Sequence, residues 1–182
     1  MPQHTLLGLS GSLRQSATNR KLIQEAARLY GDAAYTEADL HLPLYDGDVE
    51  AGHGIPAEVQ TLADQIATAD AIVISGPEYN KSISGVLKNA LDWVSRTDGN
   101  PWAGKPVAIM SAAAGRTGGE AAQYVLRQAM VAFQPRIVNG PAVMIAASHS
   151  AFDEAGQLAD ERYLAALSGL MAALRDEVGR TI

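Results

Sequence analysis

The stretch GLSGSLRQSATNRKL (residues 8–22) concentrates groups that can hold an anion. Ser10, Ser12, Ser16, Thr18 and Asn19 supply hydroxyl and amide donors, and Arg14 supplies a planar cationic fork. The stretch follows a short apolar run and leads into a helical pattern that starts near Thr18 or Asn19. A helix N-terminus presents free N–H groups and partial positive charge, so the added hydroxyls and arginine make a site for a phosphate monoester. One such residue is enough to cap a helix; five and an arginine exceed that need. Gly8 and Gly11 do not complete G-x-G-x-x-G, and G-x-x-x-x-G-K-[ST] does not occur. GLSGS falls short of the nucleophile turn G-x-S-x-G, because Ser12 stands where the last glycine belongs.

Two further stretches suit a flat ring. In GPEYNKSISG (residues 76–85), Pro77 fixes its own backbone and restricts Gly76, Tyr79 offers a ring face, and Asn80 offers both donor and acceptor. In SAAAGRTGGE (residues 111–120), three alanines and three glycines leave little bulk between a planar ligand and the backbone. Arg116 is the one large side chain there. The blander alternatives are a tight strand–helix connection for the first and close strand–helix packing for the second. An anion loop beside two such loops describes a mononucleotide with a large heterocycle, and flavin mononucleotide (FMN) fits best.

The elements that must position these loops are legible as alternating runs. TLLGLS (5–10), AIVIS (71–75), VAIMS (107–111) and AVMIAA (142–147) are short and continuously apolar, as strands buried on both faces are. AAYTEADL (33–40) is weaker and reads as an edge. Between them lie helical stripes: Val59, Leu62, Ile66 and Ala69; Leu87, Leu91 and Val94; Leu167, Leu170, Met171, Leu174 and Val178. Residues 19–30 and 119–133 fill the other two helix positions. The expectation is one α/β domain over residues 1–182: a doubly wound, five-stranded parallel sheet with helices on both faces. Ligands in such sheets bind outside the carboxyl ends of the strands, where strand order reverses, and the three loops follow strands one, three and four.

Composition narrows the class further. A net charge of −6 lacks the footprint of a nucleic-acid binder. With no cysteine, disulfides, thiolate metal sites and cysteine nucleophiles are excluded, which agrees with a cytoplasmic protein. The N-terminal residues do not read as a signal peptide, and no run is long enough to cross a bilayer. His4, His41, His53 and His149 sit at the chain start or in expected loops and read as surface or structural; no metal-ligand spacing occurs.

GSLRQSATNRKL, PEYNKSISGVLKNALDW and SAAAGRTGG resemble, in order and spacing, the three signatures of NADPH-dependent FMN reductases of flavodoxin-like fold, a family that includes quinone, chromate and azo reductases. The likeness runs from about Leu6 to Ala147 and implies strand order 2-1-3-4-5. It implies that Ser10, Ser12, Arg14, Ser16 and Asn19 hold the FMN phosphate. By the same likeness Pro77, Glu78, Tyr79 and Asn80 line the isoalloxazine ring, and Ser111, Gly115, Arg116 and Gly118 close its other side. DLHLPLYDGDVEA (39–51) resembles a family segment, which implies that Tyr45 and Asp46 approach a neighbouring subunit's flavin in a homodimer or homotetramer. Ser84 stands where the family often has proline, which is expected to loosen the start of the third long helix. SAAAG lacks a hydroxyl near Ala113. An exposed Trp93, or Trp102, is the expected subunit contact.

The resemblance further implies a ping-pong route: hydride passes from NADPH or NADH to flavin N5, and then to a flavin, quinone or related acceptor, with no metal and no catalytic side chain. A flavodoxin-type electron carrier is the alternative, although Arg14 and the PEYN turn favour the reductase. A dinucleotide dehydrogenase using Asp39 is disfavoured, since Asp39 lies beyond the usual spacing of about twenty residues from the glycine loop. A phosphoacceptor domain is disfavoured because the third strand does not end in aspartate.

Overall fold

The computed structural model describes residues 4–180. The elements run β1 (His4–Ser10), α1 (Thr18–Tyr30), β2 (Ala33–Glu37), α2 (Gly47–His53), α3 (Ala57–Thr68) and β3 (Ala71–Gly76). They continue with α4 (Gly85–Val94), β4 (Pro106–Ala112), α5 (Glu120–Met130), β5 (Arg136–Ile137), β6 (Met144–Ile145) and α6 (Glu161–Val178). Short 3-10 turns occupy Val131–Phe133 and Ser148–Ser150. All strand pairs are parallel, in the order β2-β1-β3-β4-β5, with β6 also on β4. The reversal of order falls between β1 and β3, so the loops after β1, β3 and β4 meet at one edge of the sheet.

Period-two alternation divides each strand between two cores. In β4, Ala108, Met110 and Ala112 face the core under α1 and α6, whereas Val107 and Ile109 face the one under α3, α4 and α5. The stripes predicted on the helices are those buried: Leu62 and Ile66 of α3, Leu87 and Leu91 of α4, and Leu167, Leu170, Met171 and Leu174 of α6. Each such side chain contributes about 1.5–3 kcal/mol relative to exposure.

Five features depart from expectation. The fifth strand is not one run over residues 142–147. Its place is filled by β5 at one end of β4 and β6 at the other, Pro106 pairing with Arg136 and Ser111 with Met144. Between them residues 139–142 loop out at Asn-Gly-Pro-Ala, where Pro141 has no N–H to give and packs against Gly169 of α6. The weak second strand is an edge as expected but ends at Glu37. α2 was not expected: it carries two glycines and buries none of its described residues, so it shows no apolar stripe.

The tryptophans are also inside. Trp93 is fully buried, its Nε1–H donating to Pro43 O at 2.7 Å, and Trp102 is buried against Phe133. Neither offers a subunit contact, because each completes a core.

Ser84, finally, tightens its helix. Its Oγ accepts from Leu87 N (3.2 Å), capping α4, and donates to Gly11 O (2.6 Å), tying that helix to the first loop. Ser84→Ala loses both bonds and is expected to cost about 2 kcal/mol. A thermal melt of the apoprotein checks this, with a fall of about 4–8 °C expected.

Candidate functional site

The first loop leaves β1 with its backbone pressed onto β3. Gly11 N donates to Ser75 O at 2.8 Å, and a Cβ at Gly11 would stand 3.1 Å from Gly76 Cα, so the approach leaves little room for a side chain. Ser10 Oγ donates to Ser12 O at 3.2 Å and keeps the turn closed. The chain enters α1 through Ala17, and among the described residues no side chain caps that helix end, nor does its first turn hold an acidic residue. Ser16 and Thr18 therefore keep their hydroxyls off the cap, beside a helix start with Arg14 and Lys21 nearby. That arrangement suits an anion.

Asn19 is committed inward. Its Nδ2 donates to Ala112 O (2.9 Å), and its Oδ1 accepts from Ala112 N (2.9 Å) and Ser75 Oγ (2.8 Å). It fastens the start of α1 to β3 and β4 while still contributing to the lining of the cleft between the loops.

The second loop is a tight reversal. Tyr79 and Ser82 exchange two backbone hydrogen bonds of 3.0 Å, and both central residues, Asn80 (φ 51°) and Lys81 (φ 64°), are left-handed, the pattern of a type I′ turn. The turn leaves Tyr79 54% exposed beside the cleft. Glu78 accepts from Ala121 N at the start of α5 (3.0 Å) and pairs with Lys81 (3.0 Å), which latches the loop to its neighbour. The hydrogen bond and charge of Lys81, with the α5 N–H groups, hold its carboxyl below the usual range against a smaller opposing effect of burial.

The third loop is shaped from beneath. Buried Ser111 donates to Gly118 O (2.6 Å) and accepts from Gln123 Nε2 (2.9 Å). Gly118 has φ +62°, and a Cβ there would lie 2.5 Å from the Met144 carbonyl. Gly115 and Arg116 lie exposed at its tip.

Between these loops opens a cleft of about 460 Å³, lined among others by Arg14, Ser16, Pro77, Glu78, Tyr79 and Ala113. The volume suits a small-molecule site. Ser12 lines it too, and also lines a second cavity of about 320 Å³ across the first loop, with Ser10, Arg20, Glu37, Asp39 and His41. Of the residues expected at the cofactor, Ser10, Asn80, Ser111, Gly115, Arg116 and Gly118 flank or support the cleft rather than line it.

Tyr45 and Asp46 stand apart, on the flank of α4. Asn89 clamps the segment, Oδ1 accepting from Tyr45 N and Nδ2 donating to Pro43 O, both at 2.9 Å. The Tyr45 ring meets Trp93 edge-on at 5.0 Å, and its hydroxyl donates to Glu50, a bond that raises its pKa. Asp46 caps α2.

Sequence reading passed over Lys21 and the pair Ser148–His149, which all line the cleft. The signal for the last two was weak: they follow β6 in a segment with no periodicity, and a lone histidine there reads as surface.

The residues fit FMN: an uncapped, cation-flanked helix start for the phosphate, and a wall of Ala112, Ala113 and Ala114 with no bulk to oppose a planar ring. Sheet order and cleft position define a flavodoxin-like, mononucleotide-binding protein. Within that class the chain belongs to the NADPH-dependent FMN reductase family, whose model matches residues 4–150. It is 46% identical over 159 residues to an NAD(P)H-dependent FMN reductase of Pseudomonas aeruginosa, covering 86% of this chain and 85% of that one. It is 40% identical over 178 residues to a quinone reductase of Escherichia coli, covering 94% of each. The solved flavoenzyme NAD(P)H:(acceptor) oxidoreductase of Paracoccus denitrificans superposes with a TM-score of 0.85 at 32% identity, covering 96% of this chain and 97% of that one.

Proposed function

We propose that the protein is an NAD(P)H-dependent FMN oxidoreductase whose cleft holds FMN with its phosphate at the start of α1 and its ring between the loops after β3 and β4. The observation that carries this reading is the uncapped start of α1, with Arg14, Ser16 and Thr18 around it, opening into a cleft walled by alanines. FMN, when bound, supplies the hydride and electron chemistry, so no side-chain acid or base is needed. Arg14, Ser12, Ser16 and the α1 N–H groups bind and orient the phosphate. Pro77 and the latched Glu78 hold the second loop at a fixed height, Gly115 and Arg116 stand at the rim of the third, and Tyr79 and Asn80 border the open side. Reduced nicotinamide and a quinone or flavin acceptor use that open side in turn, a ping-pong order.

The full chain acts as one FMN-binding domain in the cytoplasm; among the described residues no helix is long and apolar enough to cross a membrane. It assembles as a homodimer or homotetramer, with Tyr45 and Asp46 facing a second copy.

Titration of apoprotein with FMN and with riboflavin tests the reading. Arg14→Ala is expected to weaken FMN binding roughly tenfold to a hundredfold, as loss of a charged hydrogen bond should, and to leave riboflavin unaffected. Equal losses for both flavins would place the phosphate elsewhere.

A further inference from the structure

After β6 the chain reverses at Ala147, whose φ of 44° is a left-handed conformation that alanine rarely adopts. The following 3-10 turn is fastened from two sides. Ser148 N donates to Ala113 O at 3.1 Å, in the loop after β4, and Thr18 Oγ1 donates to Ser148 Oγ at 3.2 Å. Thr18 is the first residue of α1, so buried Ser148 sits against the helix end assigned to the phosphate. Its neighbour His149 is exposed and lines the same cleft as Arg14 and Ser16. Lys21, the other cation of that wall, lies with its Nζ 5.9 Å from the centre of the Phe152 ring, drawn toward the aromatic face. A phosphate monoester carries between one and two negative charges near neutrality and has three oxygens to satisfy. Arg14, Ser12, Ser16 and the helix start approach it from the first loop, and the turn at Ser148–His149 brings a further donor to the same cleft from the chain after β6.

Resting on the FMN reading above, we infer that His149 is that donor: an imidazole N–H to the FMN phosphate, delivered by the turn that Ser148 pins to Thr18 and Ala113. It makes the site selective for the phosphorylated flavin from a second side. The charged groups lining the cleft with it are Arg14 and Lys21, which favour the same anion, and Glu78, which is paired with Lys81.

The test is the quenching of flavin fluorescence on titration with apoprotein, for wild type, His149→Ala and His149→Gln, each with FMN and with riboflavin. For His149→Ala the FMN dissociation constant is expected to rise about tenfold, while riboflavin stays within about twofold. His149→Gln keeps an N–H donor and should recover part of the loss. An unchanged FMN constant, or equal loss for both flavins, overturns the role of His149 while leaving the FMN site standing. Wild type that binds neither flavin overturns both readings together.

Discussion

Asn19→Ala is expected to destabilise the apoprotein by about 3 kcal/mol or more, although Asn19 stands in a segment that reads as a ligand loop. The side chain is 3% exposed and makes three hydrogen bonds, to Ser75 Oγ and to both backbone groups of Ala112. Deleting it leaves those three buried polar groups without their partner, and each orphan costs about 1–3 kcal/mol before any relaxation or entering water. Because the bonds join α1 to β3 and β4, the loss also loosens the register of the loops around the cleft. Urea unfolding of apoprotein measures it: the midpoint falls with little change in slope. A loss below about 1 kcal/mol would mean that water replaces the amide and that Asn19 is free to serve the ligand instead.

Gly118→Ala is expected to cost about 3 kcal/mol and to weaken FMN binding as well. The position has φ +62°, and the added methyl would stand 2.5 Å from the carbonyl carbon and oxygen of Met144. The obstacle is backbone, held to β4 by the pairing of β6, so it cannot swing aside as a side-chain tip does. Left-handed strain and overpacking each contribute on the order of 1–3 kcal/mol. Ser111 donates to Gly118 O, so the displaced loop also loses a buried bond beneath the cleft. Gly115→Ala is the control. No atom lies within 4 Å of a Cβ there, and its stability should stay within about 0.5 kcal/mol of wild type. Urea midpoints of the two variants, with FMN titration of the first, decide the matter.

The fold was legible wherever burial wrote it as a run. β3 and β4 are buried along their whole lengths, and their apolar stretches stand out against the helical stripes between them. β5 and β6 were not legible, because a two-residue strand leaves no period to read and the stronger apolar run, residues 142–147, drew both into one. Trp93 was misplaced for a different reason. Its position on α4 opposes Leu87 and Leu91, and only the tertiary fold shows that the segment around Pro43 covers that face. In the site, residue type located the loops but not the duties within them. Serine and asparagine serve equally as ligands and as internal ties. Ser111 lies beneath the cleft, Asn19 lines it while its amide ties α1 to β3 and β4, and Ser16 lines it with no internal side-chain bond among the described residues. His149 reaches that cleft through the Ala147 reversal, a backbone event with no residue signature, since alanine is not the residue that usually marks a left-handed turn.

This cleft binds FMN, and the bound flavin takes reducing equivalents from a nicotinamide. The most direct measurement is the visible spectrum of FMN-loaded, desalted protein before and after anaerobic addition of NADPH. The yellow colour is expected to survive desalting and to bleach with NADPH. Colour that survives but does not bleach would contradict the reductase and leave an electron carrier, while complete loss of flavin from the protein would contradict the assignment of the three loops.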